Sequence, residues 1–168
     1  MTQPIPLADA ILTLSSALAE DRRPASLRRA ATVALSGLLR ATDWLPPSMK
    51  SVDPSRYRRQ LLHEAPDGAF SIGCFVWGRG QRTPIHDHTC WGLAGVAEGA
   101  LLEETFTLAG DRLVAGPARV IARGHSSWCH PEGGDIHRVG AAEDAPALSI
   151  HIYGNALDRV CRTVWQEK

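Results

Sequence analysis

Two of the chain's seven histidines, His86 and His88, stand one residue apart in the stretch TPIHDHTCWG. In an extended strand residues i and i+2 face the same side, so both imidazoles project together while Asp87 points away. Neutral imidazole is a good ligand for first-row transition metals, which makes the pair half of a metal site. By itself a His-x-His pair is weak evidence, and the remaining donors must come from a distant part of the chain. His63, His125 and His130 stand singly and read as surface or turn residues.

The flanking pattern shows what has to hold such a pair. Leu7, Ile11, Leu14 and Leu18 recur at helical spacing, and Leu27, Ala31, Ala34, Leu35 and Leu38 give a second apolar stripe. Two amphipathic helices are expected over residues 1–50, the second N-capped by Ser26 and stopped by the prolines of WLPPS. From Tyr57 onward the character changes to short β-branched and aromatic segments. These are YRRQLLHEA, FSIGCFVWG, TPIHDHT, EETFTLAG, DRLVAGPARVIA, IHRVG and ALSIHIYG, divided by the turn signals PDG, GRG, AGD and EGGD. The expectation is a mainly β fold, one domain over residues 1–168. A helical cap (1–50) packs on a small antiparallel barrel or jelly roll (57–155), and the C-terminal segment (156–168) forms a helix or an edge strand. A small barrel can hold one ligand in its mouth.

Composition narrows the partners. The chain has 18 basic and 18 acidic residues and no net formal charge, which offers no footprint for nucleic acid or an anionic membrane. Its 168 residues, 44% hydrophobic and 21% charged, are ordinary for one globular domain. No apolar run approaches the ~20 residues that span a bilayer, and the N-terminus lacks the basic start of a signal peptide. Cys74, Cys90, Cys129 and Cys161 are scattered, with no C-x-x-C pair. The expectation is free thiols, a cytoplasmic location, a monomer or weak oligomer, and a small-molecule partner. GRGQRT lacks the lysine and following helix of a phosphate loop.

The spacing from Gly80 through His86 and His88 to Gly92 and Gly99 resembles the first motif of the cupin barrels, with Gly92 where most cupins place a glutamate ligand. HPEGGDIHRV resembles the second motif, supplying Pro131, Gly134 and His137 with one extra turn residue. More specifically, FVWGRGQRTPIHDHTCWGLAGVAEG, GDIHRV and LSIHIYG resemble the cysteine dioxygenase family of thiol dioxygenases, nearest its bacterial cysteine and 3-mercaptopropionate branch. The resemblance implies a single cupin domain and a mononuclear Fe(II) held by His86, His88 and His137, with His130 as the rival third ligand. It also implies a relay of Ser149, His151 and Tyr153 beside the iron. These three alternate, so one strand face presents all of them. The implied reaction joins a small thiol and O2 into a sulfinic acid.

Aligning Tyr57 and Leu61-Leu62 with the family puts Arg59 at the position that grips the substrate carboxylate, with Gln60 facing the other side and Arg58 solvated. A guanidinium fork suits a carboxylate. Arg162, nine residues after Tyr153, resembles a second carboxylate-binding arginine of the 3-mercaptopropionate branch, with Arg159 its competitor. Both arginines in one pocket would suit a dicarboxylate thiol such as mercaptosuccinate. The cysteine that is cross-linked to tyrosine in the animal enzymes falls at Gly92, so Tyr153 is expected to be unmodified. Cys90 shares the parity of His86 and His88 but reads as a buried free cysteine. The rival readings are another metal-dependent cupin enzyme and a non-catalytic cupin that senses a small ligand.

Overall fold

A strand whose two faces are both apolar needs a cover on each side, and two central strands of this chain are of that kind. The computed structural model describes residues 5–21, 23–131, 135–142 and 145–165. Gly134 of the second motif, and the extreme ends of the segments expected above, lie outside them. Three helices lead: α1 (Ile5–Glu20), α2 (Pro24–Leu39) and the single turn α3 (Pro47–Lys50). The strands follow: β1 (Arg58–Glu64), β2 (Ser71–Trp77), β3 (Ile85–His88), β4 (Gly92–Glu98), β5 (Ala100–Ala109), β6 (Arg112–Ala122), β7 (Ser126–Cys129), β8 (His137–Ala141) and β9 (Ala147–Tyr153). A 3-10 turn (Leu157–Arg159) precedes the last strand, β10 (Cys161–Trp165), which lies at the edge of its sheet.

The strands form two five-stranded sheets, ordered β1-β2-β9-β4-β7 and β10-β3-β8-β5-β6. This is the antiparallel cupin barrel with helices at its N-terminal end. Every residue of β2 and β9 is buried. Ile72, Cys74, Val76, Ile150 and Ile152 point outward into a core shared with Leu7, Leu14, Leu35 and Leu38 of α1 and α2. Phe75, Trp77 and Tyr153 alternate with them and point inward, against Leu101, Ile121 and Val139 of the facing sheet. The helices are thus the outer cover that lets the first sheet be apolar on both faces. Truncating Leu35, 2% exposed, to alanine would cost about 2–5 kcal/mol.

Two local expectations change. Ser26 is not the cap of α2: the helix starts at Pro24, whose missing N–H and fixed φ suit the first turn, and Ser26 Oγ donates instead to Asp21 at 2.5 Å. Strands β4 and β7 were not among the expected segments. GLAGVAE carries one β-branched residue, and SSWC is four residues long. At the turns PDG and GRG, Gly68 and Gly80 take φ of 70° and 68°, the left-handed region where a side chain is disfavoured. Among the described residues no helix is long and apolar enough to cross a membrane.

Candidate active site

His86 and His88 leave β3 on its inner face, and His137 opens β8, the neighbouring strand, directly opposite His86 in the register. The ring centroids of the three lie 4.8–5.0 Å apart. One ligand atom from each falls within 4.8 Å of the other two. His63, His125 and His130 are not part of this cluster.

Each of the three rings has its Nδ1 committed. His86 Nδ1 donates to the Pro84 carbonyl at 3.0 Å. His88 Nδ1 faces Asp135 Oδ2 at 2.9 Å, and His137 Nδ1 donates to Glu103 Oε1 at 2.8 Å. With Nδ1 holding the proton, the Nε2 lone pair of each ring is left for the common centre, as metal-ligating histidines require. Burial, then the neighbouring imidazoles, pushes His86 and His88 down to about 3, so both rings are neutral at ordinary pH. The donor set therefore fits a divalent first-row ion. It contains no carboxylate, and the negative charge sits one hydrogen bond further out.

That outer carboxylate is held firmly. Glu103, on β5 and 3% exposed, also accepts from Arg119 Nε at 2.6 Å and from Ser127 Oγ at 3.0 Å. Burial alone would raise its pKa, but the hydrogen bonds from His137 and Arg119 and the charge of Arg119 outweigh burial and hold it at about 2. Asp135 shows the opposite balance, burial raising its carboxyl.

The opposing sheet carries the second constellation. Ser149, His151 and Tyr153 share the inner face of β9 and are buried. Ser149 Oγ lies 2.8 Å from His151 Nε2, and His151 Nδ1 lies 2.9 Å from Tyr153 Oη. Phe75 stacks on the His151 ring at 3.9 Å and 11°. The Tyr153 ring reaches 5.9 Å from His88, so the relay ends beside the histidine cluster. Burial keeps the phenol protonated and His151 neutral.

His86, His88 and Tyr153 form the wall between two cavities. The outer one, about 250 Å³, is lined by Tyr57, Arg59, Phe75, Val160, Cys161 and Val164 among others. The inner one, about 40 Å³, is closed off by the core residues of both sheets. Arg59 is the one lining residue of the outer cavity that carries a full charge at neutral pH. Its guanidinium lies over Phe75 at 5.5 Å, and one Nη2 is spent on the Leu157 carbonyl at 2.7 Å. The remaining donors of the fork are left for a ligand. Gln60 points the other way, to the Met49 carbonyl, and Arg58 bonds Ser48 and Ser51.

The structure does not bring Arg162 into this cavity. Cys161 pairs with His88 and Val164 with His86 across a bulge, so these two residues face the mouth. Arg162 falls on the outer side, bonded to the Pro131 carbonyl at 2.9 Å and 3.7 Å from Asp87. Arg159 is exposed and lies 4.0 Å from Asp158. Cys90 is buried and free, and lines neither cavity. Gly92 does sit against the tyrosine: a Cβ there would lie 2.6 Å from Tyr153 Cδ1 and 2.5 Å from Cys129 Sγ.

Glu103, Asp135, Phe75, Trp77 and Cys129 are absent from the candidate residues read in the sequence. Glu103 carried a usable signal: it alternates with Leu101 on the inward face of β5, where an unpaired charge is costly.

The model of the family described as cysteine dioxygenase type I matches residues 39–164. The chain belongs to the cysteine dioxygenase family. It is 30% identical over 129 residues to cysteine dioxygenase type 1 of Danio rerio, covering 72% of this chain and 61% of the relative. Against the Homo sapiens enzyme of the same name, identity is 29% over 113 residues, covering 63% and 54%. The chain thus spans little more than half the length of these family members. Among solved structures, a protein from Thermus thermophilus superposes with a TM-score of 0.50 at 14% identity, covering 65% of this chain and 92% of that one. A protein with a double-stranded β-helix domain from Klebsiella pneumoniae gives 0.50 at 12% identity, covering 66% and 81%. At these identities the two structures speak for the fold alone.

Proposed function

We propose that this member of the family is a non-haem Fe(II) thiol dioxygenase that converts a small carboxylate-bearing thiol and O2 to the sulfinic acid. The observation that carries the reading is one junction. Two rings of the three-imidazole cluster, His86 and His88, border the outer cavity together with the Tyr153 phenol and the Arg59 guanidinium. His86, His88 and His137 would hold the ion. The chemistry supplied by such an ion when bound is Lewis-acid stabilisation of a thiolate and activation of dioxygen.

The chain's own residues do the rest. Arg59 anchors the carboxylate through charge-assisted hydrogen bonds, which fixes where the thiol end can reach. Val160 and Phe75, both buried, exclude water around it. Tyr153 presents its hydroxyl to the reacting end of the substrate, and His151 and Ser149 orient that hydroxyl. In this reading Arg162 takes no part in substrate binding, so a dicarboxylate thiol gains nothing over a monocarboxylate.

Oxygen uptake by the iron-loaded protein tests the proposal with cysteine, 3-mercaptopropionate, mercaptosuccinate and cysteamine. Uptake is expected with carboxylate thiols, one O2 per thiol, and not with cysteamine, which lacks the carboxylate. Uptake with cysteamine alone, or with none of the four, overturns it. Arg59→Ala is expected to raise KM for the preferred acid about 10- to 100-fold, the worth of a charge-assisted hydrogen-bond pair.

A further inference from the structure

The relay on β9 has a fourth member. Trp77, at the end of β2 and fully buried, places its Nε1 2.9 Å from Ser149 Oγ. An indole N–H can only donate, so Trp77 cannot take the Ser149 proton. Ser149 accepts from Trp77, and its own proton must go to a different partner. Its one other partner among the described residues is His151 Nε2, and Ser149 has no exposed surface through which water could serve instead. The hydroxyl therefore donates to Nε2. His151, buried and stacked on Phe75, then carries its single proton on Nδ1 and donates to Tyr153 Oη. With its oxygen accepting from His151, the phenol is left to donate its proton outward, into the cavity it borders.

The opposite polarity is chemically complete in every other respect. Were Ser149 a double acceptor, His151 would carry its proton on Nε2 and Tyr153 would donate backward to Nδ1. The cavity would then meet phenol lone pairs instead of a proton. The choice is made at the buried end of the chain, where the Ser149 proton would have no acceptor. Trp77 is itself held rigidly: Tyr57 stacks on it at 4.8 Å and 14°, and Phe75 packs tilted at 6.1 Å.

We propose that Trp77 is a positioning residue that sets the polarity of the Trp77–Ser149–His151–Tyr153 chain, so that Tyr153 faces the substrate as a hydrogen-bond donor. The proposal rests on the relay reading above, but its main test needs neither iron nor turnover. Metal-free wild-type protein labelled with ¹³C and ¹⁵N reports which ring nitrogen of His151 is protonated, its ring signals assigned by through-bond correlation to its own backbone. The expected result is a protonated Nδ1 and a bare Nε2. A protonated Nε2 overturns the proposal whatever the protein oxidises, and this measurement requires no substitution to fold.

Trp77→Phe keeps an aromatic ring for Tyr57 but removes the donor and vacates the space of the five-membered ring beside Ser149 Oγ, where a water can accept the Ser149 proton. It is expected to give a mixture of the two tautomers, as is Ser149→Ala. A Trp77→Phe protein that keeps the pure Nδ1–H form shows that Trp77 does not set the polarity. In the iron-loaded enzyme, Trp77→Phe is expected to lower kcat by up to about tenfold with little change in KM, the range of one weakened hydrogen bond. Because Trp77 acts through Ser149, adding Trp77→Phe to Ser149→Ala should lower kcat no further. A full additional loss in the double variant contradicts the mechanism.

Discussion

Replacing Glu103 by glutamine changes one buried oxygen to nitrogen and removes one charge. Its effect can be worked from the contacts. Glu103 is 3% exposed, and its two oxygens accept from His137 Nδ1, Arg119 Nε and Ser127 Oγ at 2.6–3.1 Å. A glutamine has one acceptor oxygen, so either His137 or Arg119 must meet an amide NH2, donor against donor. Arg119 is 59% exposed and can turn to solvent, so its share of the loss is small. The His137 bond is the one that counts. A charge-assisted hydrogen bond of this kind is worth about 1.5–3 kcal/mol, which corresponds to a roughly 10- to 150-fold weaker hold on the metal if all of it acts through ring orientation and basicity. Anaerobic chelator competition for Fe(II) measures this directly. Glu104→Gln is the control, since Glu104 bonds Arg138 at 2.7 Å and has no contact with the cluster. An affinity for Glu103→Gln within twofold of wild type, or an equal loss in the control, would refute the reasoning.

The other expectations can be checked with the same protein. Tyr153→Phe should lower kcat about 100-fold while leaving metal content unchanged, the usual worth of a donor at a reacting centre; unchanged turnover removes Tyr153 from the mechanism. Gly92→Ala forces a Cβ to within 2.6 Å of the Tyr153 ring and should cost about 1–3 kcal/mol in thermal unfolding. In the metal-free protein, the folded-state pKa values of His86 and His88, about 3, lie below the unfolded value of 6.5. The unfolded chain thus binds protons first, and stability is complete above about pH 6.5 and falls as pH drops towards 3. Glu103, at about 2 against 4.5, adds a loss of the same sign below about pH 4.5. Urea titrations across this range should show a midpoint that declines with acid; a flat profile contradicts the neutral, buried imidazoles. Peptide mass analysis should find Tyr153 unmodified.

What could be read from the sequence was whatever depends on short-range parity. His86 with His88, and Ser149 with His151 and Tyr153, are alternating sets whose common face follows from strand geometry alone. The two apolar stripes of α1 and α2 were legible for the same reason, at helical spacing. The family resemblance, once drawn, added the Arg59 position and the third histidine. Contacts made across long sequence distance were not legible. Glu103 meets His137 from 34 residues away and Trp77 meets Ser149 from 72. The bulge that turns Arg162 outward is a pairing irregularity between β10 and β3, with no local marker in CRTVW. Strand β4 was hidden by its small residues, whose reason is tertiary. A Cβ at Gly95 would press on Leu35 and Leu39 of α2, and one at Gly92 on Tyr153.

The three histidines and the Ser149–His151–Tyr153 triplet belong to different sheets. Each sheet is therefore a separately adjustable jaw. Substitutions along β3, β8 and β5 would retune the proposed ion site while the hydroxyl jaw stays as it is, and changes along β2 and β9 would do the reverse. The gap between the jaws is set by the side chains wedged in the barrel interior, so repacking Leu101, Ile121 or Val139 offers a way to alter reactivity without touching any residue that meets the substrate.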